Sequence, residues 1–248
     1  MSAQPVHWVS VFLDVPPDHV DRTVSYWTAV TGSSPGEPTG DHDEFLPLQP
    51  PSGDPCLWLQ RTLGGPVSTH PDLYVEDVGA VAEGAVDLGA SVVDHSDGLV
   101  VLSSPGGLPF CLVRHRGQCV RPEPVGETGR ASLVDQVCLD IPPGRFDAEC
   151  RFWAALTGWE LTDEGRQDEF RRLVRPPGIP YAFLLQRLDD EQPAVTAHLD
   201  LSCQDRDAET ARHEELGGQA VRRTDGWTVM RDPAGITYCN TAKNPGDV

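Results

Sequence analysis

The sequence contains an internal repeat, and this repeat limits the fold more than any other feature. Residues 13–17, Leu-Asp-Val-Pro-Pro, return 126 positions later as Leu-Asp-Ile-Pro-Pro at 139–143. Residues 70–73, His-Pro-Asp-Leu, return 128 positions later as His-Leu-Asp-Leu at 198–201. Other matched pairs are Trp27 and Trp153, Gly32 and Gly158, Gly107 and Gly235, and Cys111 and Cys239. Two copies that align over such a length predict two domains of the same fold.

The repeat also predicts where the two domains lie. Domain 1 covers residues 5–115 and domain 2 covers residues 131–243, and each length is close to the commonest size of a single domain. Residues 116–130 contain Pro122, Pro124 and several charged residues but no apolar period. That composition predicts a linker between the domains.

Each copy repeats the same order of predicted elements. Residues 6–15 and 133–141 are rich in Val and Leu and end at a Pro-Pro pair, which predicts strands. A helix follows in each copy, with apolar residues at a period of 3.6 and with Gly32 or Gly158 where the helix would end. Short strands come next, and the pattern then restarts. The predicted fold class is therefore α+β, with four strand–helix–strands units in the chain.

Composition narrows the classes of partner. The chain of 248 residues has a net charge of −19, and its first 125 residues hold only five basic side chains, all arginines. Nucleic acid is therefore a poor candidate partner, because phosphate backbones require clustered cations. No apolar run is long enough to cross a membrane, and the N-terminus has no basic and apolar leader, so we expect a cytoplasmic protein.

The cysteines predict neither disulfides nor a structural zinc site. There are seven, an odd number, and none are spaced as Cys-x-x-Cys. Most are expected to be buried, reduced thiols that pack as small apolar side chains.

The motifs of the second copy carry a family resemblance. His198-Leu-Asp-Leu is followed by Leu-Gly-Gly at 216–218 and by Asp-Pro-Ala-Gly-Ile-Thr-Tyr-Cys at 232–239. This series, with its weaker echo in the first copy, resembles the glyoxalase-like domains of the vicinal oxygen chelate superfamily. The resemblance implies that each domain is a pair of βαβββ units forming an incomplete β-barrel around a cavity. Members include glyoxalases, extradiol dioxygenases, isomerases and antibiotic-binding resistance proteins, so the fold does not decide the function.

The resemblance also implies where a metal would bind. The three ligand places of metal-dependent members fall on Gln136, His198 and Cys239 in the second copy. In the first copy they fall on Ser10, His70 and Cys111. Because the usual glutamate at the third place is a cysteine in both copies, two alternatives stay open: one divalent metal (zinc, iron or manganese), or none. For Cys239 itself, ordinary packing is the alternative to a ligand role.

A second argument about the same residues needs no resemblance. Side chains two residues apart on a strand point to one face, so His198 should lie beside Asp200, and His70 beside Asp72. An imidazole beside a carboxylate is a candidate acid–base pair, and these four residues are the predicted catalytic groups. The same pairs could instead hold a metal, or could be buried structural pairs that join strands.

Four further residues are predicted to contact a ligand. Gln60 and Gln186 lie late in matching strands, where a solvent-facing edge position is the alternative. Trp227 has no aromatic counterpart in the first copy, and Tyr238 lies in the last strand motif. Trp227 could shape one pocket or belong to the core, and Tyr238 is predicted to contact the ligand.

Three functions follow as hypotheses. The first is a lyase, isomerase or dioxygenase that acts on a small organic molecule through His198. The second is a metal-free protein that sequesters a small compound such as an antibiotic, in keeping with the acidic charge and the missing glutamate. The third is a scaffold without a small-molecule ligand. Four units in one chain leave open whether the protein is also a homodimer.

Overall fold

The computed structural model describes residues 5–163 and 168–245, and its elements follow the repeat. The first half contains β1 (Trp8–Val15), α1 (Val20–Thr31), β2 (Ser34–Pro35), β3 (Phe45–Gln49), β4 (Leu57–Arg61), β5 (Ser68–Val75), α2 (Val78–Asp87), β6 (Ser91–Ser96), β7 (Leu99–Ser103) and β8 (Pro109–Arg114). The second half contains β9 (Ser132–Ile141), α3 (Phe146–Thr157), β10 (Glu160–Asp163), β11 (Phe170–Val174), β12 (Ala182–Arg187), β13 (Thr196–Cys203), α4 (Arg206–Glu215), β14 (Gln219–Arg223), β15 (Trp227–Arg231) and β16 (Thr237–Thr241).

The strands form two eight-stranded sheets, one from each half. Their orders are β2-β3-β4-β1-β5-β8-β7-β6 and β10-β11-β12-β9-β13-β16-β15-β14. In both sheets the first strand of each βαβββ unit lies at the centre, and parallel pairs such as β13 with β16 occur beside antiparallel hairpins. The predicted α+β class, with two such units in each copy, is confirmed. The sheets are open and are not closed into barrels.

Local sequence signals explain most of the elements. Helices α1 and α3 end at Gly32 and Gly158, whose φ angles of 64° and 69° are left-handed and favour glycine. Trp27 and Trp153 are fully buried, as expected for the apolar face of each helix. Strands β2 and β10 were not predicted, because they are short edge strands whose residues are mostly exposed and show no alternation.

The chain divides into two compact units, and each unit combines segments of both halves. Unit 1 consists of the described residues of Met1–Ser10, His70–Cys119 and Val137–Ala197. Unit 2 consists of the described residues of Val11–Thr69, Val120–Gln136 and His198–Val248. The predicted limits of domain 1 (5–115), the linker (116–130) and domain 2 (131–243) follow the repeat instead and stay a prediction.

The core of unit 2 fixes the strand that carries Cys239. Tyr238 is fully buried, and its hydroxyl contacts those of Tyr26 and, at 2.9 Å, Nδ1 of His213. Trp27 packs its ring against Tyr238 with centroids 5.1 Å apart and donates its indole N–H to Asp232 at 3.0 Å. Because sequential residues of a strand point to opposite faces, this anchoring turns Cys239 to the other face of β16.

Candidate functional site

His198 and Asp200 lie together on one face of β13, as strand alternation requires. Nε2 of His198 is 3.3 Å from Oδ1 of Asp200, and both residues are buried. A carboxylate taken out of water requires a charged or hydrogen-bonding partner, because an isolated buried charge costs many kcal/mol. The pair is therefore a site that a cation would stabilise.

Cys239 joins this pair through the sheet register. In the parallel pairing of β13 with β16, Cys239 lies directly beside Asp200. Its Sγ is 3.5 Å from Nε2 of His198, so the imidazole nitrogen faces both the carboxylate and the thiol. The ligand atoms of these three buried residues all lie within 4.8 Å of one another.

Gln136 and Lys243 extend the cluster. Nε2 of Gln136 donates to Oδ2 of Asp200 at 2.5 Å, while Oε1 of Gln136 accepts from Nζ of Lys243 at 3.5 Å. The amide therefore links the buried carboxylate to an ammonium group. A carboxylate accepts and an ammonium donates, so this arrangement fixes which end of the amide faces each of them. Gln136 presents its N–H group, not its oxygen, to Asp200.

The donor set fits a divalent metal. With bonds of about 2.0–2.1 Å to nitrogen and oxygen and about 2.3 Å to sulfur, tetrahedral geometry separates N from O by about 3.3 Å and N from S by about 3.6 Å. The separations measured from Nε2 of His198, 3.3 Å to Asp200 and 3.5 Å to Cys239, match both values. Oδ1 of Asp200 is buried and accepts no hydrogen bond from the residues that the structure describes.

The first half contains the corresponding cluster of His70, Asp72 and Cys111. Nε2 of His70 is 3.5 Å from Oδ1 of Asp72, and the ligand atoms of the three buried residues lie within 4.8 Å of one another. Cys111 is the register neighbour of Asp72 in the parallel pairing of β5 with β8. The two clusters thus arise from the same strand positions of the repeat.

Tyr74 distinguishes the first cluster. Burial raises the pKa of its hydroxyl, and the charge of Asp72 raises it further, so Tyr74 stays a neutral phenol at physiological pH. On β5 it lies two residues beyond Asp72 and points to the same face. Ser10, which corresponds to Gln136, is buried on β1.

Two of the remaining predicted ligand-binding residues, Gln186 and Gln60, lie on strands β12 and β4. Gln186 on β12 is half-buried, and its Oε1 accepts from Sγ of Cys138 at 3.6 Å. Gln60 on β4 is half-buried and is the register partner of Asp14 and Phe45.

Trp227 and Tyr238 lie on opposite faces of the same sheet region. Trp227 pairs with Thr241, two residues beyond Cys239, and so points to the face of Cys239. Tyr238 points to the opposite face, into the core of unit 2, and the structure therefore does not bring it to the cluster.

Two residues near the clusters were missed by the sequence reasoning. Lys243 is the only lysine in the sequence, and this rarity could have marked it as a candidate functional residue. Tyr74 could have been found by extending the alternation of His70 and Asp72 by one more step along the strand.

A separate cavity of about 690 Å³ in unit 2 is lined by residues of α1, α4 and the segment 125–132, not by the cluster residues.

Comparison with known proteins identifies the family. The model of the glyoxalase-like domain matches the sequence twice, over residues 10–113 and 136–241. The chain belongs to the glyoxalase-like domain family. The prediction of a tandem protein of the vicinal oxygen chelate type is thereby confirmed. No curated protein matches the sequence.

Solved structures share the fold at low identity. A Mn(II)-bound glyoxalase from Novosphingobium aromaticivorans is 17% identical, with a TM-score of 0.65, over 96% of this chain and 82% of that chain. The 2,2',3-trihydroxybiphenyl 1,2-dioxygenase of Sphingomonas wittichii strain RW1 is 15% identical, with a TM-score of 0.62, over 97% and 90%. A variant of homoprotocatechuate 2,3-dioxygenase from B. fuscum, in complex with HPCA, is 13% identical, with a TM-score of 0.64, over 98% and 73%. At these identities the likeness concerns the fold alone.

The structure was also searched for helices that could cross a membrane. Within residues 5–163 and 168–245, none of the helices is both long and apolar enough to span a bilayer.

Proposed function

We propose that this chain is a glyoxalase-like lyase or isomerase that acts on a small organic molecule at a metal site in its second half. The observation that carries the proposal is the fit of His198, Asp200 and Cys239 to tetrahedral coordination. Nε2 of His198 lies 3.3 Å from the Asp200 oxygen and 3.5 Å from the Cys239 sulfur, as ligands of one small cation would. The relatives of this fold include a Mn(II)-bound glyoxalase, which supports a divalent metal.

In this proposal Asp200 supplies the carboxylate that the family places at the position of Cys239. The sheet register sets Asp200 beside Cys239, so a carboxylate is available although the glutamate is absent. Asp200 rather than Gln136 is the third ligand, because the group of Gln136 that faces the cluster is an N–H donor. A thiolate, an imidazole and a carboxylate together favour zinc among the candidate metals.

The chain's own residues have distinct tasks. His198, Asp200 and Cys239, all buried, would hold the cation, and Gln136 orients the Asp200 carboxylate by donating to its second oxygen. When bound, the cation acts as a Lewis acid that polarises a substrate oxygen. Lys243, half-buried beside Gln136, attracts an anionic group of the substrate. The site therefore suits small molecules that carry neighbouring oxygens and a negative charge.

The thiol favours lyase or isomerase chemistry over dioxygenation. A cysteine ligand beside an oxygen-activating metal is exposed to oxidation along the sulfenic and sulfinic series. A Lewis-acid reaction has no such cost. Because dioxygenases are among the structural relatives, the test must distinguish oxygen-consuming turnover from lyase or isomerase turnover.

The test is a substrate panel with matched variants. Protein loaded with Zn²⁺, Mn²⁺ or Fe²⁺ is assayed with 2-oxoaldehyde–thiol adducts and with catechols under oxygen. We expect turnover of a panel member that does not consume oxygen, and a fall in kcat/KM of about 100-fold or more for His198→Ala. Oxygen uptake with catechols would replace the proposal by a dioxygenase. Absence of both metal binding and turnover would favour the metal-free sequestering protein.

A further inference from the structure

We propose that His7, Glu76 and His115 form a second transition-metal site, in the first half of the chain and separate from the His198 cluster. His7 precedes β1, Glu76 follows β5 and His115 follows β8, and these three strands are neighbours in the sheet. Backbone hydrogen bonds hold the two imidazole-bearing residues in place. The N–H of His7 donates to the Tyr74 carbonyl and that of His115 to the Val75 carbonyl, both at 2.9 Å.

The three side chains converge on one point. Oε1 of Glu76 lies 3.8 Å from Nε2 of His7 and 3.7 Å from Nδ1 of His115. The two imidazole rings stack with centroids 5.0 Å apart, and the three ligand atoms lie within 4.8 Å of one another. Tetrahedral bonds of about 2.05 Å would separate such ligands by about 3.3 Å. A small movement of Glu76, whose side chain is 68% exposed, would bring its oxygen to that distance from both imidazole nitrogens.

The tautomer of His115 leaves its lone pair directed at the cluster. Nε2 of His115 lies 2.9 Å from the carbonyl oxygen of Gln118, which can only accept, so Nε2 carries the hydrogen. Nδ1 is then the free acceptor that faces Glu76. A metal-binding histidine commonly has its other ring nitrogen fixed in this way.

His7 gives an independent observation that points to a cation site. Its Nε2 is buried yet makes no hydrogen bond with any of the described residues. The buried His7 nitrogen, the His115 lone pair and the Glu76 carboxylate thus face one another. A cation at the centre satisfies all three.

The ligand chemistry indicates the class of metal. Two imidazole nitrogens and one carboxylate suit Zn²⁺, Ni²⁺ or Cu²⁺ rather than Ca²⁺ or Mg²⁺, which prefer oxygen ligands. The repeat places Leu133, Gln204 and Lys243 at the matching positions of the second half (7 + 126, 76 + 128 and 115 + 128), and none of these three residue types commonly binds zinc. The site therefore belongs to the first half alone, where its metal would join the start of β1 to the ends of β5 and β8.

The experiment removes the other histidine clusters first. In a His70→Ala/His198→Ala double variant, Zn²⁺ titration by calorimetry should show one bound equivalent and a rise in Tm of several degrees. Adding His7→Gln or His115→Gln should weaken Zn²⁺ binding at least about tenfold and remove the rise in Tm. With Co²⁺, the double variant should show a spectrum without a thiolate charge-transfer band, because this site has no sulfur.

The matched control is His19→Gln. His19 also faces a carboxylate, with its Nε2 3.6 Å from Asp18, but this pair has no third ligand in the described structure. Its loss should leave Zn²⁺ binding unchanged. If the double variant does not fold, wild type and His115→Gln are compared, and the variant should bind one equivalent less.

The proposal is overturned if the folded double variant binds no Zn²⁺, or if binding survives both His7→Gln and His115→Gln. Neither result would affect the proposed function, which is tested by turnover of the substrate panel in protein that retains His198, Asp200 and Cys239.

Discussion

The two halves of the chain carry the same three donor residues at the same strand positions but surround them differently. In the second half, Gln136 links Asp200 to Lys243, so the carboxylate is held by an amide and has an ammonium group nearby. In the first half, Ser10 takes the place of Gln136, and Tyr74 projects a neutral phenol to the face of Asp72.

This difference indicates that the donor residues alone do not define an active site. The register of β5 with β8, and of β13 with β16, brings His, Asp and Cys together in both halves. The second half adds an amide that orients the carboxylate and a nearby positive charge. This is why the proposed activity is placed in the second half.

The largest expected effect is a difference in kcat/KM between substitution of His198 and substitution of His70. His198→Ala removes the nitrogen that faces both Asp200 and Cys239, so kcat/KM should fall about 100-fold or more. His70→Ala, in the half without Gln136 and Lys243, should change kcat/KM by less than about threefold. Steady-state kinetics on metal-loaded protein measure both. Equal losses would mean that both halves are active.

The second prediction compares two loops that follow β15 and β7. The buried carboxylate of Asp232 accepts the Trp27 indole N–H at 3.0 Å and two backbone N–H groups at 2.8 and 2.9 Å. Ser104, at the matching place, accepts one backbone N–H at 3.1 Å and donates its hydroxyl to the Glu149 carboxylate. Asp232→Ala should lower the free energy of unfolding by about 3 kcal/mol and Ser104→Ala by about 1.5 kcal/mol. Denaturant titration measures both, and similar losses would contradict the argument.

The third prediction concerns how the stability of the protein depends on acid pH. It rests on the carboxyl group of Glu209, which has no counterpart in the first half. Burial acts to raise the pKa of Glu209, but hydrogen bonds outweigh it and lower the pKa to about 2. The donors are Arg212, His213 and Ser132. The matching residue of α2 is Val81 (209 − 128), which does not titrate.

Because the folded pKa of Glu209 is depressed, its stabilising effect is complete above the ordinary pKa and is lost as pH falls towards 2. Between pH 7 and pH 3 the loss from this group should be about 2 kcal/mol of unfolding free energy. Glu209→Gln should start less stable and lose correspondingly less over the same range. An identical acid dependence of wild type and Glu209→Gln would refute the assignment.

The smallest expected effect concerns Lys243. Lys243→Met should raise KM for an anionic substrate about tenfold, because one charge–charge contact is lost, while kcat changes less. Lys243→Arg should recover most of the affinity, and a neutral substrate analogue should be insensitive to either change. A loss of kcat without a change in KM would show that Lys243 does not act by binding the substrate.

Much of the fold could be predicted because the repeat and the periodic spacing of apolar residues are local properties of the sequence. The 3.6-residue period and the glycines at 32 and 158 predicted α1 and α3, and the Val-rich runs ending at Pro-Pro predicted the central strands β1 and β9. Edge strands such as β2 could not be predicted, because two exposed residues are too few to show an alternation of apolar and polar side chains.

The site was less accessible from the sequence because it depends on register between strands. Alternation alone sets His198 beside Asp200, but the contacts of Gln136 with Asp200 and of Lys243 with Gln136 join residues that lie far apart in the chain. Alternation would also have separated Tyr238 from Cys239, since neighbours along a strand point to opposite faces.

The most direct test of the central claim is the absorption spectrum of the cobalt-loaded protein. A thiolate bound to Co²⁺ gives a charge-transfer band, so the spectrum reports whether a cysteine holds the metal. Because the first half has its own cysteine cluster, the comparison is made in the Cys111→Ser background. We expect the band in Cys111→Ser and its loss in Cys111→Ser/Cys239→Ser. A band that is absent from metal-loaded Cys111→Ser, or that survives the double substitution, would contradict the placement of the metal beside His198, Asp200 and Cys239.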